Sequence, residues 1–200
     1  MKVRGWPDSK YSMHPTSEAA LAGPPEAMLV GRCVAGDEQA WRDLYRVHYP
    51  TAGAFLRKLG VRERELEDAA QEVFVQLFRS LPQFRGEAQL RTWLYRLCAT
   101  QARRVRRFRG VADALRTWFG EGPSLATAQE LPPDLARQRV AAALDCLGEA
   151  ERLVFVLYEL EGLSGEEIAG IADCPVATVW RRLHYARARF RSAIEAEATS

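Results

Sequence analysis

Arg181, Arg182 and Arg187, with Trp180 just before them and His184 and Tyr185 among them, crowd one stretch near the end of the chain. Side chains of this kind grip anions and base edges. An arginine bonds guanine or a phosphate, and the start of a helix favours phosphate oxygens. The chemistry works only if these groups share one face of a rigid element narrow enough to enter a groove.

The surrounding residues describe such an element. Gly162 suits the left-handed end of a helix, and Ser164 with Glu167 three positions later makes a capping box that starts the next one. Ile168, Ala169 and Ala172 would face inward. Asp173-Cys174-Pro175 interrupts the helix, since Asp tolerates a left-handed position and Pro suits the first turn of a new helix. Beyond it Val176, Val179, Leu183, Ala186 and Phe190 recur at spacings of three and four as one apolar stripe, with Thr178, Trp180, Arg181, His184, Tyr185 and Arg187 on the other side. A solvated amphipathic helix would also scatter arginines. The capped helix and tight turn ahead of it favour a helix-turn-helix that reads a major groove.

A second arginine run differs in kind. Arginines 91, 96, 103, 104, 106, 107 and 109 lie in a stretch without any acid, interleaved with Trp93, Tyr95 and Phe108 and preceded by Pro82-Gln83-Phe84-Arg85-Gly86. Basic charge tracks a backbone while aromatic faces accept unstacked bases, which is the chemistry of single-strand binding. Phe84 and Tyr95 are the expected base contacts, and Trp93 is spaced like a core residue. Upstream, Glu63, Glu65, Glu67, Asp68 and Glu72 form an acidic cluster. Charge is therefore segregated along a chain whose net charge is only +2.

At 200 residues and 48% hydrophobic content, one medium domain or two small ones can form real cores. The four cysteines, at 33, 98, 146 and 174, have neither paired spacing nor histidine neighbours, so reduced thiols are expected rather than zinc or disulfides. His14, His48 and His184 stand apart, and no nucleophile-base pair or phosphate loop argues for an enzyme or for any cofactor. No run has signal-peptide or membrane-spanning character, so a soluble cytoplasmic protein is expected.

The expected fold is all-α, two small helical domains joined by a flexible linker. Residues 1–27, rich in Pro, Gly and small residues, read as a mobile extension. A first helix follows Gly36-Asp37, with Ala40, Trp41, Leu44, Tyr45 and Val47 in phase, and stops before Pro50; a short second one covers about 51–59. The third carries Leu66, Ala70, Val73, Phe74, Leu77, Phe78 and Leu81 as one apolar face up to Pro82, with Asp68, Gln71 and Glu72 on a flank opposite Phe74 and Phe78. A fourth starts near Leu90. Residues 110–133 read as the linker, with room for one fragment of helix, and 134–195 as the second domain, broken at Gly148.

DAAQEVFVQLFRSLPQFRG followed by TWLYRL resembles the second conserved region of the sigma-70 superfamily of bacterial transcription factors. LSGEEIAGIADCPVATVWRRLHYARARF is similar to the fourth, and Gly36-Asp37-Glu38-Gln39-Ala40-Trp41 with Leu44-Tyr45 resembles the opening of the extracytoplasmic-function group. The resemblance implies a second-region domain at 28–109 and a fourth-region domain at 134–195. It implies core RNA polymerase as a partner, docked through Asp68, Gln71, Glu72 and Gln76. It also implies promoter DNA as a partner. The melted minus-ten strand would meet Phe84, Arg85, Tyr95, Arg96, Thr100, Arg103 and Arg104. The minus-thirty-five duplex would meet Ala177, Thr178, Trp180, Arg181, Arg182, His184, Tyr185 and Arg187. A cognate anti-sigma factor is a further partner that many such proteins have.

The chain departs from the family pattern in places. Thr100 stands where Asn is usual, Arg104 where Asn or Asp is frequent, Ala177 where Gly is common, and Trp180 where a small, polar or basic residue is usual. An indole at position 180 could meet a thymine methyl or cover a neighbouring helix. A stand-alone helix-turn-helix regulator is the alternative function, but it has no use for DAAQEVF with TWLYRL.

Overall fold

The computed structural model describes residues 26–84, 89–118 and 135–198, with backbone alone at 111–118, 135–137 and 197–198. Within these residues every regular element is a helix, joined by short turns, and no strand forms. The helices are α1 (Glu26–Val34), α2 (Glu38–Lys58), α3 (Glu63–Ser80), α4 (Leu90–Trp118), α5 (Leu135–Asp145), α6 (Glu149–Phe155), α7 (Gly165–Ala172) and α8 (Val176–Ala198). A 3₁₀ turn at Leu81–Gln83 closes α3, and a π-helical turn at Val156–Leu160 extends α6.

Local chemistry sets most of the boundaries. The Asp37 carboxylate accepts from the Gln39 and Ala40 amides at 2.9 and 3.1 Å and so starts α2. Ser164 and Glu167 cap α7 reciprocally, and Asp173 ends it at φ 49° in the left-handed region. These agree with the sequence reading.

Two helices differ from it. α1 falls partly in the stretch read as an extension; its signal was Leu29, Val30 and Cys33, all buried on one side. α2 runs unbroken through Pro50, where the sequence predicts a stop. A proline removes one backbone bond and costs about 3 kcal/mol in a helix interior. Pro50 faces solvent. Ala40 and Leu44 before it, and Ala52, Phe55 and Leu56 after it, are all buried, and that continuous stripe holds both segments on one axis.

α2, α3 and α4 pack on one another with α1 at the side, and α5, α6 and α7 gather around α8. The apolar core does not stop between the two groups. It runs from Leu29 to Ala186 as one cluster, and α7 packs against α4. α4 extends past the expected end of the first domain at residue 109, to Trp118. The expected extension over 1–25 and most of the expected linker lie outside the described residues.

Candidate nucleic-acid interface and docking faces

On α8, Val179, Leu183 and Ala186 are buried, which turns Ala177, Arg181, His184, Tyr185 and Arg187 outward. Thr178 and Arg182 are half-buried. Arg182 donates to the Cys174 sulfur in the turn at 3.4 Å, so its guanidinium braces the two helices. Arg187 is also engaged: it pairs with Glu159 at 2.6 Å and lies over the Tyr158 ring at 5.3 Å. Arg181 has no ion-pair partner among the described residues. The open face is thus Ala177, Arg181, His184 and Tyr185, narrower than the sequence suggests.

Trp180 belongs to the neighbouring helices. Its ring meets Tyr158 edge-on at 5.5 Å, and a Cβ placed on Gly165 would come within 2.6 Å of its Cζ2. The indole covers the start of α7 and remains 45% exposed.

The arginine run of α4 divides by helical phase. Arg96, Thr100, Arg103, Arg104 and Arg107 are exposed. Arg106 and Arg109 turn inward and donate to the carbonyls of Leu59 and Gly60 at 3.4 and 3.3 Å, closing the end of α2, where a helix favours positive charge. The run has no acid of its own, but other elements supply them. Arg103 pairs with Glu149 at 2.9 Å, Arg104 with Glu72 at 3.9 Å and Arg109 with Glu65 at 3.3 Å. The Thr100 hydroxyl donates back to the Arg96 carbonyl at 2.9 Å.

The expectation that Tyr95 stacks on a base is overturned. Tyr95 is 1% exposed, its ring lies 4.4 Å from that of Phe55, and its hydroxyl donates to Glu161 Oε2 at 2.5 Å. Position 95 sits on the same side of α4 as buried Leu94, Cys98 and Ala102. Burial, then the Glu161 carboxylate, holds the phenol protonated well above its usual range. Phe84 is half-buried and meets Trp93 edge-on at 5.9 Å, while the Trp93 indole donates to Ser80 at 3.2 Å. Arg85 and Gly86 lie outside the described residues.

α3 presents two separate flanks, and the grouping of Asp68, Gln71 and Glu72 opposite Phe74 and Phe78 is wrong. Asp68 and Glu72 border a groove against α4 with Gln101, Arg104 and Phe108. Gln76 joins that side by donating to Glu72 at 3.1 Å. Gln71 lies on the other side with Phe74, Val75 and Phe78, facing Trp41, Tyr45 and Tyr49 of α2. This second groove, about 1360 Å³, is walled by aromatic rings: Trp41 and Phe78 lie 4.7 Å apart, as do Tyr45 and Phe74. Phe78 is 58% exposed and is not a core residue. An open aromatic surface of this kind is larger than the scattered apolar residues of an ordinary surface and is the sort that binds a partner or ligand. Its signal in the sequence was the four-residue spacing of Trp41, Tyr45 and Tyr49.

Comparison with known proteins places the chain in a family. Residues 44–111 match the family model described as Sigma-70 region 2, and residues 137–190 match Sigma-70, region 4. The chain is 34% identical over 173 residues to the ECF RNA polymerase sigma-E factor of Escherichia coli (strain K12), spanning 81% of this chain and 90% of that one. It is 32% identical over 181 residues to the RNA polymerase sigma-H factor of Pseudomonas aeruginosa, spanning 85% and 94%. Among solved structures, CnrH in complex with the cytosolic domain of CnrY is similar at a TM-score of 0.65 and 26% identity, over 86% of this chain and 97% of that one. The sigma factor RpoE in complex with the anti-sigma factor NepR from Bartonella quintana shares the fold at a TM-score of 0.62 and 24% identity, over 77% and 96%. No helix among the described residues is long and apolar enough to cross a membrane.

Proposed function

Because this chain belongs to the extracytoplasmic-function group of the sigma-70 family of transcription initiation factors, we propose that it binds core RNA polymerase, places it on a promoter and assists melting. Residues 28–109 act as the polymerase- and minus-ten-binding domain, 110–133 as the linker and 134–195 as the reader of the minus-thirty-five element. The observation that carries this reading is the pairing of an exposed aromatic groove with two separate basic helix faces on one small chain. A regulator that bound DNA alone would need only one of the three.

Docking centres on Gln71 and the groove between α2 and α3, where Trp41, Tyr45, Tyr49, Phe74 and Phe78 supply apolar area. Asp68, Glu72 and Gln76 border the contact from the far side of α3. The minus-ten strand runs along Arg96, Thr100, Arg103 and Arg104, next to Phe84 and Arg85. Arg181 enters the major groove as the principal base reader, supported by Ala177, Thr178, His184 and Tyr185. Arg182, Arg187 and Trp180 set the angle of α8 and the field around it. An anti-sigma factor is a further partner on this reading, since the similar CnrH structure is of a complex with CnrY.

Run-off transcription with purified core polymerase on a genomic promoter library tests the proposal. Promoter-specific transcripts that depend on the added chain support it. Their absence, with equal DNA binding in the presence and absence of core enzyme, points to a stand-alone regulator.

A further inference from the structure

The groove between α3 and α4 holds a side-chain amide that nothing satisfies. Gln101 lines it at 7% exposure, and its Oε1 is buried without a hydrogen-bond donor among the described residues. A buried acceptor of this kind is costly, and the groove is the open side from which a donor can reach it.

The rest of the groove limits what that donor belongs to. Its volume is about 560 Å³, within the roughly 300–1,000 Å³ of small-ligand clefts. Glu65 and Arg109 close one end by pairing at 3.3 Å, and Glu72 is engaged by Gln76 and Arg104. Arg64 and Asp68 are exposed and carry no ion pair among the described residues. Phe108 is 66% exposed, with the Arg104 guanidinium carbon 5.8 Å from its ring centre. A plain cation entering here meets three arginines, and a plain anion three carboxylates. A ligand with an N–H edge, a flat ring and an anionic tail meets a partner for each.

Guanine has that edge. Its N1–H and N2–H donors lie side by side and match the two oxygens of one carboxylate, whereas adenine sets an acceptor beside its amino group and repels one. An aromatic ring and a guanidinium plane are both stacking faces for a base, and a free arginine suits phosphate.

We propose that this groove binds a free guanine nucleotide: Asp68 takes the N1–H and N2–H edge, Gln101 Oε1 the second N2 hydrogen, Phe108 the ring face and Arg64 the phosphates. A promoter strand is a poorer occupant, because at about 100° per residue Gln101, Val105 and Phe108 sit about a third of a turn from Thr100, Arg103 and Arg107. On the sigma-factor reading Asp68 and Glu72 border the polymerase contact, so bound nucleotide weakens docking. That consequence rests on the sigma-factor reading; the binding does not.

The test is calorimetric titration of the full chain with GDP, ADP and xanthosine diphosphate. GDP should bind about tenfold more tightly than ADP. Phe108→Ala and Gln101→Leu should each weaken GDP by about tenfold, with helicity by circular dichroism unchanged. Asp68→Asn should weaken GDP and strengthen xanthosine diphosphate, whose C2 carbonyl accepts from the new amide; a merely structural aspartate would not exchange the two. Equal binding of GDP and ADP, or no binding of GDP, overturns the site, and so does Asp68→Asn without the exchange. A guanine-containing twelve-nucleotide strand that displaces GDP better than a guanine-free one would assign the groove to DNA and overturn the free nucleotide. With core polymerase, saturating GDP should lower the affinity of the parent by about fivefold and leave Phe108→Ala unaffected. Equal affinities with and without GDP overturn the effect on docking. Failure of the parent in run-off transcription would instead remove the functional reading, and the titration would still decide whether the groove holds a nucleotide.

Discussion

The six-membered edge of the Trp180 indole rests on the bare α-carbon of Gly165, so close that a methyl group at 165 would sit 2.6 Å from Cζ2. Helix α8 is thereby keyed to the start of α7. Gly165→Ala should push the indole aside and lower stability by about 1–3 kcal/mol through overpacking. Duplex affinity for the minus-thirty-five element should fall with it. Adding Trp180→Ala should relieve the clash. Thermal melts and duplex binding of the single and double variants check this, and equal melting temperatures for Gly165→Ala and the parent would refute the contact.

Docking should depend on the aromatic groove more than on the acidic flank. Phe78 is 58% exposed, so Phe78→Ala costs little core packing. It should weaken core-polymerase binding by about tenfold, as truncation of a buried interface aromatic does. Gln71→Lys should act in the same direction. Asp68→Lys and Glu72→Lys lie across α3 and should have smaller effects. A titration against core enzyme in which the acidic variants lose more than Phe78→Ala would reverse this order.

Arg181 and Arg187 should behave differently. Arg181 carries no ion pair among the described residues and is free to read a base. Arg181→Ala should relax selectivity at one promoter position by about 1–3 kcal/mol. Arg187, held by Glu159 and Tyr158, should on truncation weaken all sequences alike and lower the salt slope. Matching profiles over a set of promoter variants would show that one face does both jobs.

Tyr95 should act through stability. Tyr95→Ala removes a fully buried ring and should cost about 3–5 kcal/mol. Tyr95→Phe keeps the ring, loses only the bond to Glu161, and should cost about 1–2 kcal/mol. Chemical denaturation measures both. If Tyr95→Ala keeps the parent's midpoint while open-complex formation falls, the residue works on DNA after all.

His48 should make stability depend on pH. Burial lowers its pKa from the ordinary value, with Glu26 opposing. The unfolded chain therefore takes up this proton at a higher pH than the folded one, and stability falls as pH drops below about 6.5. His48→Gln should flatten the melting temperature between about pH 6.5 and pH 5, above the carboxylate range. A parent curve already flat over that interval would contradict the burial of this imidazole.

Much of the fold was legible because its signals are local. Ser164, Glu167 and Asp173 make the helix-turn-helix from bonds within a few residues, so no distant partner can alter them. The stripe Val179, Leu183 and Ala186 needed only the helical period. The separation of Gln71 from Asp68 and Glu72 was also open to that arithmetic: at about 100° per residue Gln71 and Phe78 nearly eclipse each other.

Other features could be decided only by what lies across space. Tyr95 and Phe78 are both aromatic residues in phase with an apolar stripe, yet one is buried beneath Phe55 and Glu161 while the other faces an open groove. Pro50 stays inside a helix because buried residues on both sides of it are held by α3 and α4. The acid-free arginine run finds its acids at Glu65, Glu72 and Glu149, on other helices. Burial and ion pairing are properties of neighbours. Sequence determined most of the helices, their caps and the family they make; tertiary packing decided that α2 runs through Pro50, which arginines stay free and which aromatic rings remain in water.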